Sequence, residues 1–195
     1  MDFEGTNFKD STLKRRSFLK LALGAVACAA GSSALVIPNT AAAFTTGGSV
    51  RRLALVSRNT QERFDDVYWS NGSYVPDALR RLDVLLRDHK ANQVCKFDPK
   101  LFDVLWQVQQ RLDTTEPFEV VCGYRSRRTN ALARRRTRGV AKESYHIRGM
   151  AIDVRMHDRG VRAIAAEGKA LEAGGVGLYT RSGFVHLDTG PVRTW

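Results

Sequence analysis

The chain has 195 residues, 43% of them hydrophobic, with 31 lysines and arginines against 20 aspartates and glutamates and a formal net charge of +11. That length supports one domain with a substantial core, and that apolar share excludes a polyelectrolyte with no packed interior. The positive balance points to a polyanionic partner, attracted by forces that salt would screen.

The N-terminus reads Lys14-Arg15-Arg16-Ser17-Phe18-Leu19-Lys20, then an apolar run from Leu21 to Ile37, then Ala41-Ala42-Ala43 before Phe44. Twin arginines, a moderately apolar segment and a small-residue cleavage site together form a Tat-type export signal over residues 1–43, cut after Ala43. Gly24, Gly31, Ser32 and Ser33 interrupt the run, which is marginal in length for a bilayer, so no permanent membrane span is expected. Cys28 suggests a lipoprotein site, but apolar sequence continues well beyond it. The implied address is the periplasm, reached through the Tat export machinery. Five basic and three acidic side chains leave with the signal, so residues 44–195 keep a net charge of +9.

After a short linker at 44–50, residues 51–195 read as one domain without internal repeats. Arg51–Ser57 alternates as a strand, and Asp66–Trp69, an Asn71-Gly72 turn and Tyr74-Val75 suggest a hairpin. Pro76 opens a helix with Leu79, Leu82, Leu85 and Leu86 at helical spacing. Asp98-Pro99 starts another, carrying Leu101, Val104, Leu105, Val108 and Leu112 on one side. Phe118–Val121 reads as a strand leading to Arg125. Asn130–Ala133 begins a helix that runs into Arg134-Arg135-Arg136-Thr137-Arg138. That cluster is the densest basic run, and runs of this kind can mark nucleic-acid patches. On a helix of an exported protein it reads as a solvated face, so no nucleic-acid partner is expected.

Met150–Met156 is short and partly β-branched, a largely buried strand, with His146 on the loop that feeds it. Val161–Ala173 reads as a helix closed by Gly174-Gly175. Phe184–Asp188 is a further strand, on which His186 and Asp188 share a face. Two neighbouring strands can therefore aim His146, Asp153 and His186 at one ion. Two imidazoles and a carboxylate form a three-ligand zinc set that leaves the fourth position for a water able to attack a carbonyl. His89, at the polar end of a helix, and His157, in a charged turn, default to solvent. With Cys28 in the signal, Cys95 and Cys122 either form a bridge or stay as buried free thiols. The absence of a CxxC spacing argues against cysteine ligation of the ion. Segregated strands and helices predict an α+β fold, an antiparallel sheet with helices packed on one face and the zinc site on the other.

The pattern Ser144-x-His146-x-x-Gly149-x-Ala151-x-Asp153, followed by His186 on a strand, resembles the zinc peptidases that cut bacterial cell-wall peptides: D-Ala-D-Ala carboxypeptidases, VanX-type dipeptidases and related endopeptidases, with Hedgehog signalling domains as structural cousins. Gly123-Tyr124-Arg125-Ser126, Arg138–Lys142, Gly175-Val176-Gly177 and Gly183–Pro191 are most similar to the exported YcbK-like branch. The resemblance implies one zinc ion on His146, Asp153 and His186, with Arg125 stabilising the oxyanion. It also implies that Ser144 and Tyr124 line the substrate side, Ser144 either holding substrate or bonding the loop backbone. The implied reaction is hydrolysis of peptidoglycan stem or cross-link peptides, as an endopeptidase or a carboxypeptidase. One departure stands out: many of these peptidases place a carboxylate three residues before the last histidine as general base, and here that residue is Gly183. Asp188 is the local substitute, either as base or as the group that orients His186. The same departure admits a non-catalytic zinc module that binds wall peptides or a partner.

Overall fold

The computed structural model describes residues 50–137 and 140–195. The export signal with Arg15, Arg16 and Cys28, the cleavage point after Ala43, most of the linker and Arg138-Gly139 lie outside the described residues. Among the described residues, no helix is long and apolar enough to cross a membrane.

β1 (Val50–Ser57) and β2 (Arg63–Ser70) pair antiparallel, and Asn71-Gly72 turns the chain into the short β3 (Ser73–Tyr74). Pro76 sits in the first turn of α1 (Pro76–Leu85), where its missing N–H costs nothing. α2 (Lys100–Arg111) follows, then β4 (Phe118–Cys122), α3 (Arg127–Arg136) and a 3-10 turn at Tyr145–Arg148. The chain finishes with β5 (Ala151–Arg155), α4 (Val161–Ala170), β6 (Gly175–Tyr179), β7 (Phe184–Asp188) and β8 (Arg193–Thr194).

Among the described residues, eight strands form one sheet in the order β3-β2-β1-β4-β5-β7-β6-β8. The α+β class holds, but the sheet is mixed where a purely antiparallel one was expected. β1 runs parallel to β4 and β6 parallel to β8. The reason lies in the connections: the meander and two helices between β1 and β4 return the chain to the far edge of β1 in its original direction. β7 then hairpins back on β6, and the following strand lies on the open edge of β6. α4 is also shorter than Val161–Ala173, since Leu171 caps it and Glu172 turns to positive φ.

Alternation divides the sheet into two faces. Ile152, Val154, Val185, Leu187 and Val176 bury against Leu82 of α1, Leu101, Leu105 and Val108 of α2 and Ile164 of α4, which forms the core. Their neighbours Asp153, His186 and Gly177 face the other way. In α3, Arg134, Arg135 and Arg136 are exposed, a solvated face. Cys95 and Cys122 are free thiols.

Candidate active site

The site is one row of residues across the sheet. Cys122 of β4 pairs with Asp153 of β5, Asp153 with His186 of β7, and His186 with Gly177 of β6. The parallel pairing of β6 and β8 brings Trp195 beside Gly177, with a Trp195 N–H to Val176 carbonyl bond of 3.3 Å. A bulge makes the first step possible. Val120 pairs with Val154, yet Cys122 pairs with Asp153, so the extra residue Val121 turns the Cys122 side chain from the core face to the site face. Gly177 makes the last step possible, because a Cβ there would lie 2.6 Å from the Trp195 ring. That ring sits 5.3 Å from the His186 ring, centroid to centroid, and its N–H donates to the Tyr179 hydroxyl at 2.8 Å.

His146 reaches the row from the 3-10 turn. Ser144 caps that turn, its hydroxyl accepting the His146 backbone N–H at 3.3 Å. This is a bond to the loop backbone, one of the two roles the sequence leaves open to Ser144. His146 Nε2, Asp153 Oδ1 and His186 Nδ1 then form a triangle with sides of 3.2, 2.9 and 3.1 Å. Ligands about 2.0–2.1 Å from a tetrahedral ion sit about 3.3 Å apart, so the triangle has the size of one face of such a site.

The outer hydrogen bonds set the tautomers. His146 Nδ1 is 2.7 Å from the Gly123 carbonyl oxygen, which can only accept, so the proton is on Nδ1 and the Nε2 lone pair points inward. His186 Nε2 donates to Asp188 Oδ2 at 2.9 Å, which turns its Nδ1 inward. Two imidazole lone pairs and a carboxylate oxygen thus meet at one place, all but buried. A single proton serves one of these contacts well, whereas one divalent ion serves all three.

The electrostatics agree. Burial alone would raise the Asp153 carboxyl, but the two imidazoles overcome it and hold Asp153 well below the usual carboxylate range. Burial lowers His146, aided by the charges of Arg125 and His186 and opposed by Asp153. Burial also acts to lower His186, yet Asp153 and Asp188 outweigh it and raise that ring. A metal would compete with a proton for His186 Nδ1.

Asp188 is fully committed. Its Oδ2 accepts from His186 Nε2 and from Arg193 Nη2 at 2.7 Å, while its Oδ1 accepts the backbone N–H of Gly175 at 3.0 Å and of Gly190 at 2.8 Å and Arg193 Nη1 at 3.1 Å. Burial pushes this carboxyl up, but those donors hold it far below its ordinary value. The carboxylate lies behind His186, on the side away from the inward-facing nitrogen. Arg193 is itself clamped, its guanidinium 4.9 Å from the Tyr145 ring and 5.0 Å from the Trp195 ring. Arg193 and Trp195 went unnoticed in the sequence, because a two-residue strand carries no periodic signal.

The Cys122 thiol also lies within 4.8 Å of donor atoms of His146 and Asp153. It bonds the Gly123 carbonyl at 3.6 Å, and burial with the nearby Asp153 charge pushes it up to about 12, so it stands beside the cluster as a neutral thiol. Arg125 N–H donates to the His146 carbonyl at 3.2 Å. Most arginines of the domain hold a carboxylate, as Arg51 does with Asp103 and Arg155 with Glu119. Arg125 differs: among the described residues its buried Nε has no partner. Tyr124 is half-buried and lines a cavity with Arg125, bonding none of the three ligands. Gly183 adopts φ +68 in the β6–β7 hairpin, with open space around the place of a Cβ. A side chain there would be strained by that turn, so the missing carboxylate and the tight hairpin go together.

Two imidazoles and a carboxylate converging from a rigid sheet are a donor set that could hold a metal ion, as metal-dependent hydrolases do. The chain belongs to the peptidase family described as peptidoglycan L,D-endopeptidase MepK, whose family model matches residues 45–195. It is 43% identical over 161 residues to the probable peptidoglycan L,D-endopeptidase MepK of Haemophilus influenzae, covering 82% of this chain and 87% of that protein. It is 39% identical over 175 residues to the peptidoglycan L,D-endopeptidase MepK of Escherichia coli strain K12, covering 90% of this chain and 94% of that protein. No solved structure matches the chain.

Proposed function

We propose that this protein is an exported zinc peptidase that hydrolyses peptide bonds in the stem or cross-link peptides of peptidoglycan. The observation that carries the reading is the convergence of three potential ligand atoms at 2.9–3.2 Å, with the outer nitrogens of both imidazoles already hydrogen-bonded. His146, Asp153 and His186 would hold the ion. When bound, zinc supplies Lewis-acid chemistry, polarising a peptide carbonyl and making water nucleophilic at neutral pH.

The protein's own groups do the rest. Gly123 and Asp188 fix the two imidazoles in the tautomers that face inward. Arg125 stands next to these residues as a cation whose buried Nε has no partner among the described residues, suited to the oxygen that gains charge as the carbonyl is attacked. Asp188 we assign to orienting His186, since five donors already occupy its oxygens. The reading as a non-catalytic module drew on Gly183 alone, and a complete ligand set beside an unpaired arginine favours catalysis.

Elemental analysis of protein prepared with ample metal tests the metal assignment. About one zinc per chain is expected, removed by a chelator together with activity, and a metal-free, active protein would refute it. The export reading stands on Arg15, Arg16 and Ala41-Ala42-Ala43. Replacing both arginines by lysine should leave the precursor in the cytoplasm, because the signal is read by a receptor and not by charge alone. Normal periplasmic accumulation of that variant would show that another route carries it.

A further inference from the structure

Beside the metal cluster, on the far side of Cys122 from Asp153, is a cavity of about 270 Å³. Asp88, Lys90, Cys122, Tyr124 and Arg125 are among the residues that line it. It shares Cys122, Gly123 and Arg125 with the site itself, so a ligand at the metal could extend into it.

Its charge balance is unusual. Arg87 faces the cavity but is spent on Glu62, with bonds of 2.8 and 3.1 Å. Asp88 is buried and spent on the backbone N–H groups of Ser126, Lys90 and Ala91 at 2.9, 3.1 and 3.2 Å. Two cations remain. Arg125 has a buried Nε without a partner, and the Lys90 ammonium is in no ion pair among the described residues. Both residues line the same cavity as Cys122. A buried donor left unpaired costs free energy that a bound acceptor would recover. Asn59, Thr60 and Thr129 add neutral polar groups to the lining.

We infer that this cavity is a subsite for a carboxylate of the peptide being cut, with Arg125 and Lys90 as its cations. The inference rests on the peptidase reading above and adds the chemical class of the group next to the cut bond. The carboxylate can come from a side chain or from a chain end, and Lys90 makes the difference between this subsite and Arg125 acting at the scissile carbonyl alone.

Binding and hydrolysis test it separately. A cross-linked muropeptide dimer, the same dimer amidated at its chain-end carboxylates, and the dimer amidated at its side-chain carboxylates would each be titrated into zinc-free protein by calorimetry. One of the two amidated forms should bind about tenfold or more weakly, the scale of one lost charge-assisted bond, and identify the source of the carboxylate. Lys90→Gln, at an exposed position whose backbone bond to Asp88 is kept, should weaken the native dimer and narrow the distinction between the dimers, since Arg125 alone remains. With zinc restored, the same loss should appear in KM with little change in kcat. Equal affinity of the parent for all three dimers, or an unchanged discrimination in Lys90→Gln, overturns the subsite. Binding as predicted without any hydrolysis by the zinc-loaded parent overturns the peptidase reading and leaves the subsite standing.

Discussion

His186→Ala should release the metal and abolish hydrolysis while the sheet stays folded. His186 supplies one side of each of two contacts in the ligand triangle, at 3.1 Å to His146 and 2.9 Å to Asp153. Without it two ligands remain, too few for the closed side of a catalytic zinc site. The fall in turnover should exceed the roughly hundred- to ten-thousand-fold cost of losing a proton-transfer group, since the ion itself goes. The fold should survive because the core of Ile152, Val154, Val185 and Leu187 lies on the opposite face, and Asp188 keeps Arg193 and two backbone donors. Circular dichroism, elemental analysis and muropeptide release on one preparation check all three parts. A folded variant that keeps both zinc and activity would mean that the triangle is not the metal site.

Asp188→Asn should weaken zinc binding by about ten- to a hundredfold, with turnover restored when excess zinc is supplied. The carboxylate accepts from five donors, and an amide has only one oxygen. Its NH₂ must therefore face N–H donors, either the Gly175 and Gly190 amides with Arg193 Nη1, or Arg193 Nη2 with His186. In the second arrangement the proton of His186 is favoured on Nδ1, the atom that must face the ion. If Asp188 were instead the general base, the variant would bind zinc normally and lose about two to four powers of ten in turnover at any zinc concentration. A zinc titration followed by rate measurement separates the two. Parental behaviour in both would remove Asp188 from the mechanism.

The convergence of His146, Asp153 and His186 was legible because it is set locally: histidine and aspartate types at a strand and its feeding turn, with strand alternation setting which of them share a face. The helices α1 and α2 were legible for the same reason, through apolar stripes of 3.6-residue period. What the chain did not disclose depends on pairing between distant segments. β6 hides in Gly175-Val176-Gly177, where glycine depresses strand propensity because Gly177 must admit Trp195. β8 is too short for any pattern, yet it carries Arg193 onto Asp188 and so completes the support of His186. Strand direction was equally invisible, since the parallel pairs β1/β4 and β6/β8 follow from connections and not from residue pattern. The bulge at Val121 likewise appears only in the register with β5, and it alone brings Cys122 to the site face.

The central claim, that this metal site cuts peptidoglycan peptides, is tested most directly by incubating zinc-loaded protein with purified sacculi and reading the released muropeptides by mass spectrometry. The masses should show cleavage within stem or cross-link peptides, absent with chelator and with His186→Ala, and should identify the bond. Sacculi left intact by a folded protein carrying one zinc per chain would contradict it.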